Sequence, residues 1–225
     1  ITLQHLGDFD SIDLFKQVIL MKPNFAEAHN NLGAALKEKG QMVDAVHEYK
    51  KAIAIKKDFA EAYNNLGNAQ MELGEIDESI SSFRSALEIK PDFPTFHINL
   101  GNALNRLGKL DEAIQAFMHA IAINPDYAES YNSLGIAYQA LGRLDDAVKS
   151  YKKALSNNID YEEVHNNLGT AYKELGKYDE ALKAYENALS INSNYADAYN
   201  NCGVLFFTTG QLKDAVKFYE KALSI

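Results

Sequence analysis

Tryptophan is missing from these 225 residues, cysteine occurs once and proline four times. No apolar run approaches the ~20 residues that cross a bilayer, and no signal-like start is visible. A single cysteine, Cys202, excludes an internal disulfide and suits a reducing compartment. Basic residues are also short: 22 Lys and Arg against 31 Asp and Glu give a formal charge of -9 and a pI near 5.2. That is the wrong sign for a nucleic-acid footprint or an anionic membrane surface, so neither partner is expected. Cysteine pairs, a glycine-rich phosphate loop and a nucleophile elbow are all lacking. No catalysis and no cofactor are expected, and the cytoplasm, or the nucleus and cytoplasm of a eukaryote, is the expected compartment.

What is present is one pattern, clearest over 94–127. Phe96, Leu100, Ala103, Leu104 and Leu107 form one stripe of a 3.6-residue helix, and Leu110, Ala113, Ile114, Phe117, Ala120 and Ile121 form another. Gly108 stands between them where a helix ends, Pro94 suits a first turn, and Pro125 stops the second helix. Asp111 is placed to accept from the free amides that open the second helix, and Asp77, Asp145 and Asp179 repeat it. The unit predicts a helical hairpin too small to stand alone, so it must stack on copies of itself.

Those copies appear at a spacing of 34 residues. Gly33, Gly67, Gly101, Gly135, Gly169 and Gly203 fall in one column and Gly40, Gly74, Gly108, Gly142, Gly176 and Gly210 in another, leaving only Gly7 outside. An aromatic column runs Tyr49, Phe83, Phe117, Tyr151, Tyr185 and Tyr219, and an alanine column Ala52, Ala86, Ala120, Ala154, Ala188 and Ala222.

With these residues the whole chain resembles the tetratricopeptide-repeat family, whose aromatic-x2-Leu-Gly phrase appears as His97, Leu100 and Gly101, followed by Ala113, Phe117 and Pro125. The first aromatic place holds His29, Tyr63, His97, Tyr131, His165 and Tyr199, never tryptophan, and the proline is replaced at Lys57, Ile159 and Ser193. The resemblance implies an all-α, right-handed α-solenoid of helix-turn-helix hairpins. One array is expected over 1–225: a partial repeat over 1–25, full repeats over 26–59, 60–93, 94–127, 128–161 and 162–195, and a sixth over 196–225 lacking its last turn. Cys202 stands where other repeats have leucine, which predicts a small buried hydrophobe rather than a reactive thiol.

Two places break the pattern. Residues 156–160 replace the usual Ile-x-Pro ending, putting Asn157 in an apolar place, so that helix end is expected to fray or bend. Val204 to Phe207 make the sixth first-helix apolar nearly all round, and something is expected to cover it.

The family resemblance further implies that places 2, 5, 6, 9, 12 and 13 of each repeat face an inner groove. Asparagine dominates them: Asn31, Asn65, Asn99, Asn167 and Asn201 at place 6, with Ser133 the exception; Asn30, Asn64, Asn132, Asn166 and Asn200 at place 5; Asn68 and Asn102 at place 9. Each carboxamide matches one peptide group, so the column favours sequence-tolerant capture of an extended polypeptide. The competing reading is that one column satisfies cross-helix contacts, Asn being a poor mid-helix residue. The phrase NNLG also resembles repeats of O-linked N-acetylglucosamine transferases, which leaves open a substrate-recognition array of a larger glycosyltransferase. A clamp for acidic tails is argued against by Glu27, Glu61, Glu129, Glu163 and Asp197 at place 2, where a clamp needs bases. The other alternative is a self-association module: apolar Ile191, Phe206, Val216 and Leu223, with Phe207, are expected to support end-to-end homo-association. His29, His97 and His165 lie two whole repeats apart and are read as packing residues, with no metal site.

Overall fold

A computed structural model describes residues 11–225. Thirteen α-helices and no strand occur among them: α1 (Ser11–Met21), α2 (Ala26–Glu38), α3 (Met42–Ile55), α4 (Ala60–Glu72), α5 (Ile76–Ile89), α6 (Pro94–Arg106), α7 (Leu110–Ile123), α8 (Ala128–Ala140), α9 (Leu144–Asn157), α10 (Glu162–Glu174), α11 (Tyr178–Ile191), α12 (Ala196–Thr208) and α13 (Leu212–Leu223). Gly7 lies outside the described residues. The described residues divide into two compact units, one ending at Lys109 and the other spanning Leu110–Ile225. In the first, α2 pairs with α3 and α4 with α5, and each helix otherwise touches the next one along. In the second, α8 pairs with α9, α10 with α11 and α12 with α13. First helices of successive repeats also meet: α2 with α4 and α4 with α6, α8 with α10 and α10 with α12. Each unit is therefore an all-α solenoid segment, in which sequence neighbours alone supply the core.

The two glycine columns have different causes. Gly40, Gly74, Gly108, Gly142, Gly176 and Gly210 all have φ between 72° and 82°, the left-handed conformation that closes a helix. The residue after each closes the turn by donating to a carbonyl near the end of the first helix, as in Gln41 N to Leu36 O (2.9 Å) and Lys177 N to Tyr172 O (2.9 Å). At the other column a side chain has no room: a Cβ on Gly33, Gly67, Gly135, Gly169 or Gly203 would lie 2.5–2.7 Å from a ring carbon of the facing aromatic residue on the second helix. The aromatic column and the alanine column are buried through Tyr185 and Ala188. Place 8 glycine thus lets an aromatic ring of the second helix lie flat against the backbone of the first.

Two expectations need correction. The aspartates Asp77, Asp145 and Asp179 do not cap their helices: the N-cap residues are Glu75, Arg143 and Lys177, and none makes a side-chain cap bond. Each aspartate lies at the second helical residue, inside the first turn and two places past the cap. Its contribution is through the helix dipole, about 0.3–1 kcal/mol. Residues 156–160 do not fray either. Helix α9 keeps the 14 residues of α3, α5, α7 and α11, and Asn157 anchors the turn by donating from Nδ2 to the Pro125 carbonyl at 3.1 Å. The lost apolar anchor is replaced by a hydrogen bond.

Gly169→Ala is expected to destabilise by roughly 1–3 kcal/mol, because the new methyl would lie 2.5 Å from Cε1 of the fully buried Tyr185. Gly176→Ala, with open space but a φ of +73°, is expected to cost about 1–2 kcal/mol by backbone strain alone. Chemical denaturation of G169A/Y185A separates them: the double variant should lose less than the sum of its parts, whereas G176A/Y185A should be additive.

Candidate functional site

The asparagines pair with one another. In the first unit Asn65 Nδ2 donates to Asn30 Oδ1 (3.0 Å) and Asn99 Nδ2 to Asn64 Oδ1 (2.8 Å). In the second, Asn167 Nδ2 donates to Asn132 Oδ1 (3.1 Å) and Asn201 Nδ2 to Asn166 Oδ1 (2.9 Å). In these four repeats place 6 therefore bonds back to place 5 of the one before, 35 residues away, one more than the repeat length. The offset arises because adjacent first helices pack side by side, so that the nearest residue on the neighbour is one position further on. Asn30, Asn132 and Asn166 are buried and Asn64 half-buried, while Asn65, Asn99, Asn167 and Asn201 are half-buried and Asn31 exposed. Asn200 is exposed, and Asn68 and Asn102 are half-buried.

A second rail follows the same offset between places 12 and 13. Lys37 Nζ meets Glu72 Oε1 at 2.6 Å, Arg106 Nη1 donates to the Met71 carbonyl at 3.1 Å, and Gln139 Nε2 donates to Glu174 Oε1 at 2.8 Å. The place 2 acids are used internally. Glu27 Oε1 accepts from Lys56 Nζ at 3.3 Å and Glu61 from Lys90. The carboxyl of Glu27 is held below its usual range by its own backbone amide and then by Lys56, that of Glu61 chiefly by Lys90. These exposed pairs are worth at most about 1 kcal/mol each. In the second unit Glu163 Oε1 accepts instead from Asn132 Nδ2 at 3.2 Å.

The place 4 histidines are structural. Nε2 of His29, His97 and His165 reaches the carbonyl six residues upstream, at Pro23 (3.1 Å), Pro91 (2.7 Å) and Ile159 (3.0 Å), tying each first helix to the turn before it. No group of three or more metal-ligating side chains gathers among the described residues. Cys202 is fully buried, and burial pushes its thiol up to about 12, as an inert core hydrophobe requires. No described helix is long and apolar enough to cross a membrane.

Residues 21–225 match the family model of the cilia and flagella-associated protein 70 C-terminal domain, a tetratricopeptide-repeat model. The chain belongs to this tetratricopeptide-repeat family. Solved tetratricopeptide arrays share its fold. TTC0263, a thermophilic protein of this class from Thermus thermophilus, is 24% identical over 81% of this chain and 99% of that one, with a TM-score of 0.68. YrrB, described as a tetratricopeptide protein with an unusual peptide-binding site, is 21% identical over 83% of this chain and 96% of its own, TM-score 0.65. The MamA protein is 27% identical over 76% and 93%, TM-score 0.65. No curated protein matches the chain by sequence. As a tetratricopeptide array it is a protein–protein interaction scaffold.

The pairing leaves a signal in the sequence of the array. Only Ile98 departs from asparagine at place 5 and only Ser133 at place 6, and they stand 35 residues apart like every bonded pair. Asn166→Ala is expected to cost about 1–3 kcal/mol, since it strands the Asn201 donor and opens a buried site, while Asn200→Ala should fall within about 0.5 kcal/mol of the parent. Equal effects in urea unfolding would refute the pairing as a stabilising device.

Proposed function

We propose that the array binds an extended segment of another polypeptide by its main chain, through the place 6 asparagines. The observation that carries this is a valence count. After each bond back to place 5, Asn65, Asn99, Asn167 and Asn201 retain a carbonyl oxygen and one N–H on a half-buried carboxamide, the complement of a peptide group. The back-bond also fixes the carboxamide's orientation, so little rotamer entropy is lost on binding. Asn31 extends the set at one side of the first unit, and Asn68 and Asn102 at place 9 add donors and acceptors there. Place 5 serves as the support. The peptide-binding site named for YrrB is consistent with this use of the fold.

A peptide array probed with the whole chain tests the proposal. Asn65→Ser with Asn99→Ser is expected to weaken retained peptides roughly 5- to 150-fold, at ~0.5–1.5 kcal/mol per lost bond. Asn30→Ala with Asn64→Ala removes the supports and lowers stability, and is expected to weaken binding less. Unchanged affinity of the serine variant across several peptides would show that the asparagines serve the fold alone.

A second reading, self-association, rests on one observation: Phe207, Leu212, Val216 and Leu223 are 62%, 59%, 55% and 88% exposed, four large apolar side chains on α12 and α13. Phe206 is covered by Phe218, ring centroids 5.1 Å apart, but Phe207 is not. Light scattering should then show mass rising with concentration, and Val216→Lys with Leu223→Lys should abolish the rise. A constant monomer mass in both would remove this reading.

A further inference from the structure

The repeats supply an internal template for a site at His165. In the first unit the His29 ring is 5% exposed and uses both nitrogens. Nε2 donates to the Pro23 carbonyl (3.1 Å), Nδ1 meets Glu48 Oε2 (2.6 Å), and Glu48 Oε1 accepts from Lys51 Nζ (2.8 Å). Burial works to raise the Glu48 carboxyl, but hydrogen bonds from Lys51 and His29 outweigh it and the net shift is downward. Glu48 is thus an ionised acceptor. Both His29 nitrogens thus face oxygen atoms, one a carbonyl and one a carboxylate.

Four repeats on, His165 reproduces half of this arrangement. The ring is 6% exposed and its Nε2 donates to the Ile159 carbonyl at 3.0 Å. Its Nδ1 is buried with no hydrogen-bond partner in the protein. The residue at the place of Glu48 is Ala184, and that at the place of Lys51 is Asn187. Between α9, α10 and α11 a cavity of about 260 Å3 reaches the ring, lined by His165, Ala184, Asn187, Leu155, Leu168 and Tyr172. Lys183 and Glu180 also line it, one charge of each sign, and Lys152 Nζ lies 5.7 Å over the Tyr172 ring. The volume is below the ~300–1,000 Å3 of drug-sized sites and fits a single side chain or an acetate-sized group.

We propose that this cavity binds a carboxylate, which accepts a hydrogen bond from His165 Nδ1 and occupies the place that Glu48 fills at His29. A neutral ring donating from Nε2 has a bare Nδ1, so the carboxylate arrives with one proton taken from solvent. Asn187 Nδ2 supplies the second donor in place of Lys51. The free carboxylate of a small acid and the side chain of a partner's glutamate share this chemistry.

The test uses the whole chain with 15N-labelled histidine, read at the ring nitrogens. Sodium acetate and a blocked Ala-Glu-Ala peptide are titrated beside acetamide and blocked Ala-Gln-Ala at the same concentrations and pH. His165 Nδ1 is expected to move from the bare to the protonated position with the carboxylates, at least about tenfold more tightly than with the amides, while His29 stays unchanged. A response to acetate alone assigns the site to free carboxylates; a response to the glutamate peptide as well assigns it to side chains; either supports the site. Ala184→Glu is expected to protonate Nδ1 without ligand and to abolish the response. No movement with either carboxylate, or equal movement with acetamide, overturns the proposal, and the parent-chain titration decides it even if A184E does not fold.

Discussion

The contact on which the structure depends is an aromatic ring lying against a glycine backbone. Wherever the second helix of a repeat brings Tyr49, Phe83, Tyr151, Tyr185 or Tyr219 to its partner, the facing residue has no Cβ, and one added there would lie 2.5–2.7 Å from the ring. The separation of the two helices in a hairpin is therefore set by ring thickness rather than by a pair of interlocking side chains. Once that distance is fixed, the small residue one turn further along the second helix must be alanine-sized, and Ala52, Ala86, Ala154 and Ala188 are fully buried. The left-handed glycine sets the other variable, the direction in which the chain turns back. Close packing tolerates little adjustment at either point.

The period, the helix boundaries, the glycine and aromatic columns and the buried Cys202 are all legible in the sequence, because each is a local requirement restated every 34 residues. The cap expectation fails for an equally local reason: acids early in a helix look alike whether they stand at the cap or two residues inside it. The first helices in fact open after aromatic residues, Phe25, Phe59, Phe93, Tyr127, Tyr161 and Tyr195, in extended or near-extended conformation without a side-chain cap. Asn157 is deceptive because its place in the other repeats is apolar, yet a carboxamide reaching a carbonyl holds the same turn. The asparagine rail is half legible. Two columns are evident, but their mutual bond needs the lateral offset between neighbouring helices, which no single repeat contains.

Those bonds also show how the array carries polar groups on a packed surface. A buried carboxamide left unmade costs about 1–3 kcal/mol, whereas a made neutral bond returns about 1 kcal/mol. Asparagine at place 5 is therefore tolerable only with a donor in the next repeat, and the donor at place 6 keeps surplus valence because it is only half-buried. The rail bond and the proposed peptide contact would use different N–H groups of the same carboxamide. The charged rail at places 12 and 13 is looser: Lys37 with Glu72, Arg106 with a carbonyl and Gln139 with Glu174 use different chemistry at equivalent places. Side chains vary there without disturbing the packing beneath them.

A chain that repeats itself allows each departure to be judged against its own siblings. Ile98 and Ser133 are the two departures from asparagine at places 5 and 6, and they stand 35 residues apart in the sequence like the bonded pairs. Glu48 is itself the departure at its place, which holds Ser82, Ala116, Ser150 and Ala184 in the following repeats, so the carboxylate that meets His29 has no counterpart at His165. Removing one partner of a buried polar pair is the costly half-step, while removing both approaches neutrality. His165, with no carboxylate beside it, still serves the Ile159 carbonyl through Nε2. A leucine could fill the volume but could not make that bond, and so the ring stays, carrying a second nitrogen that the fold itself does not use.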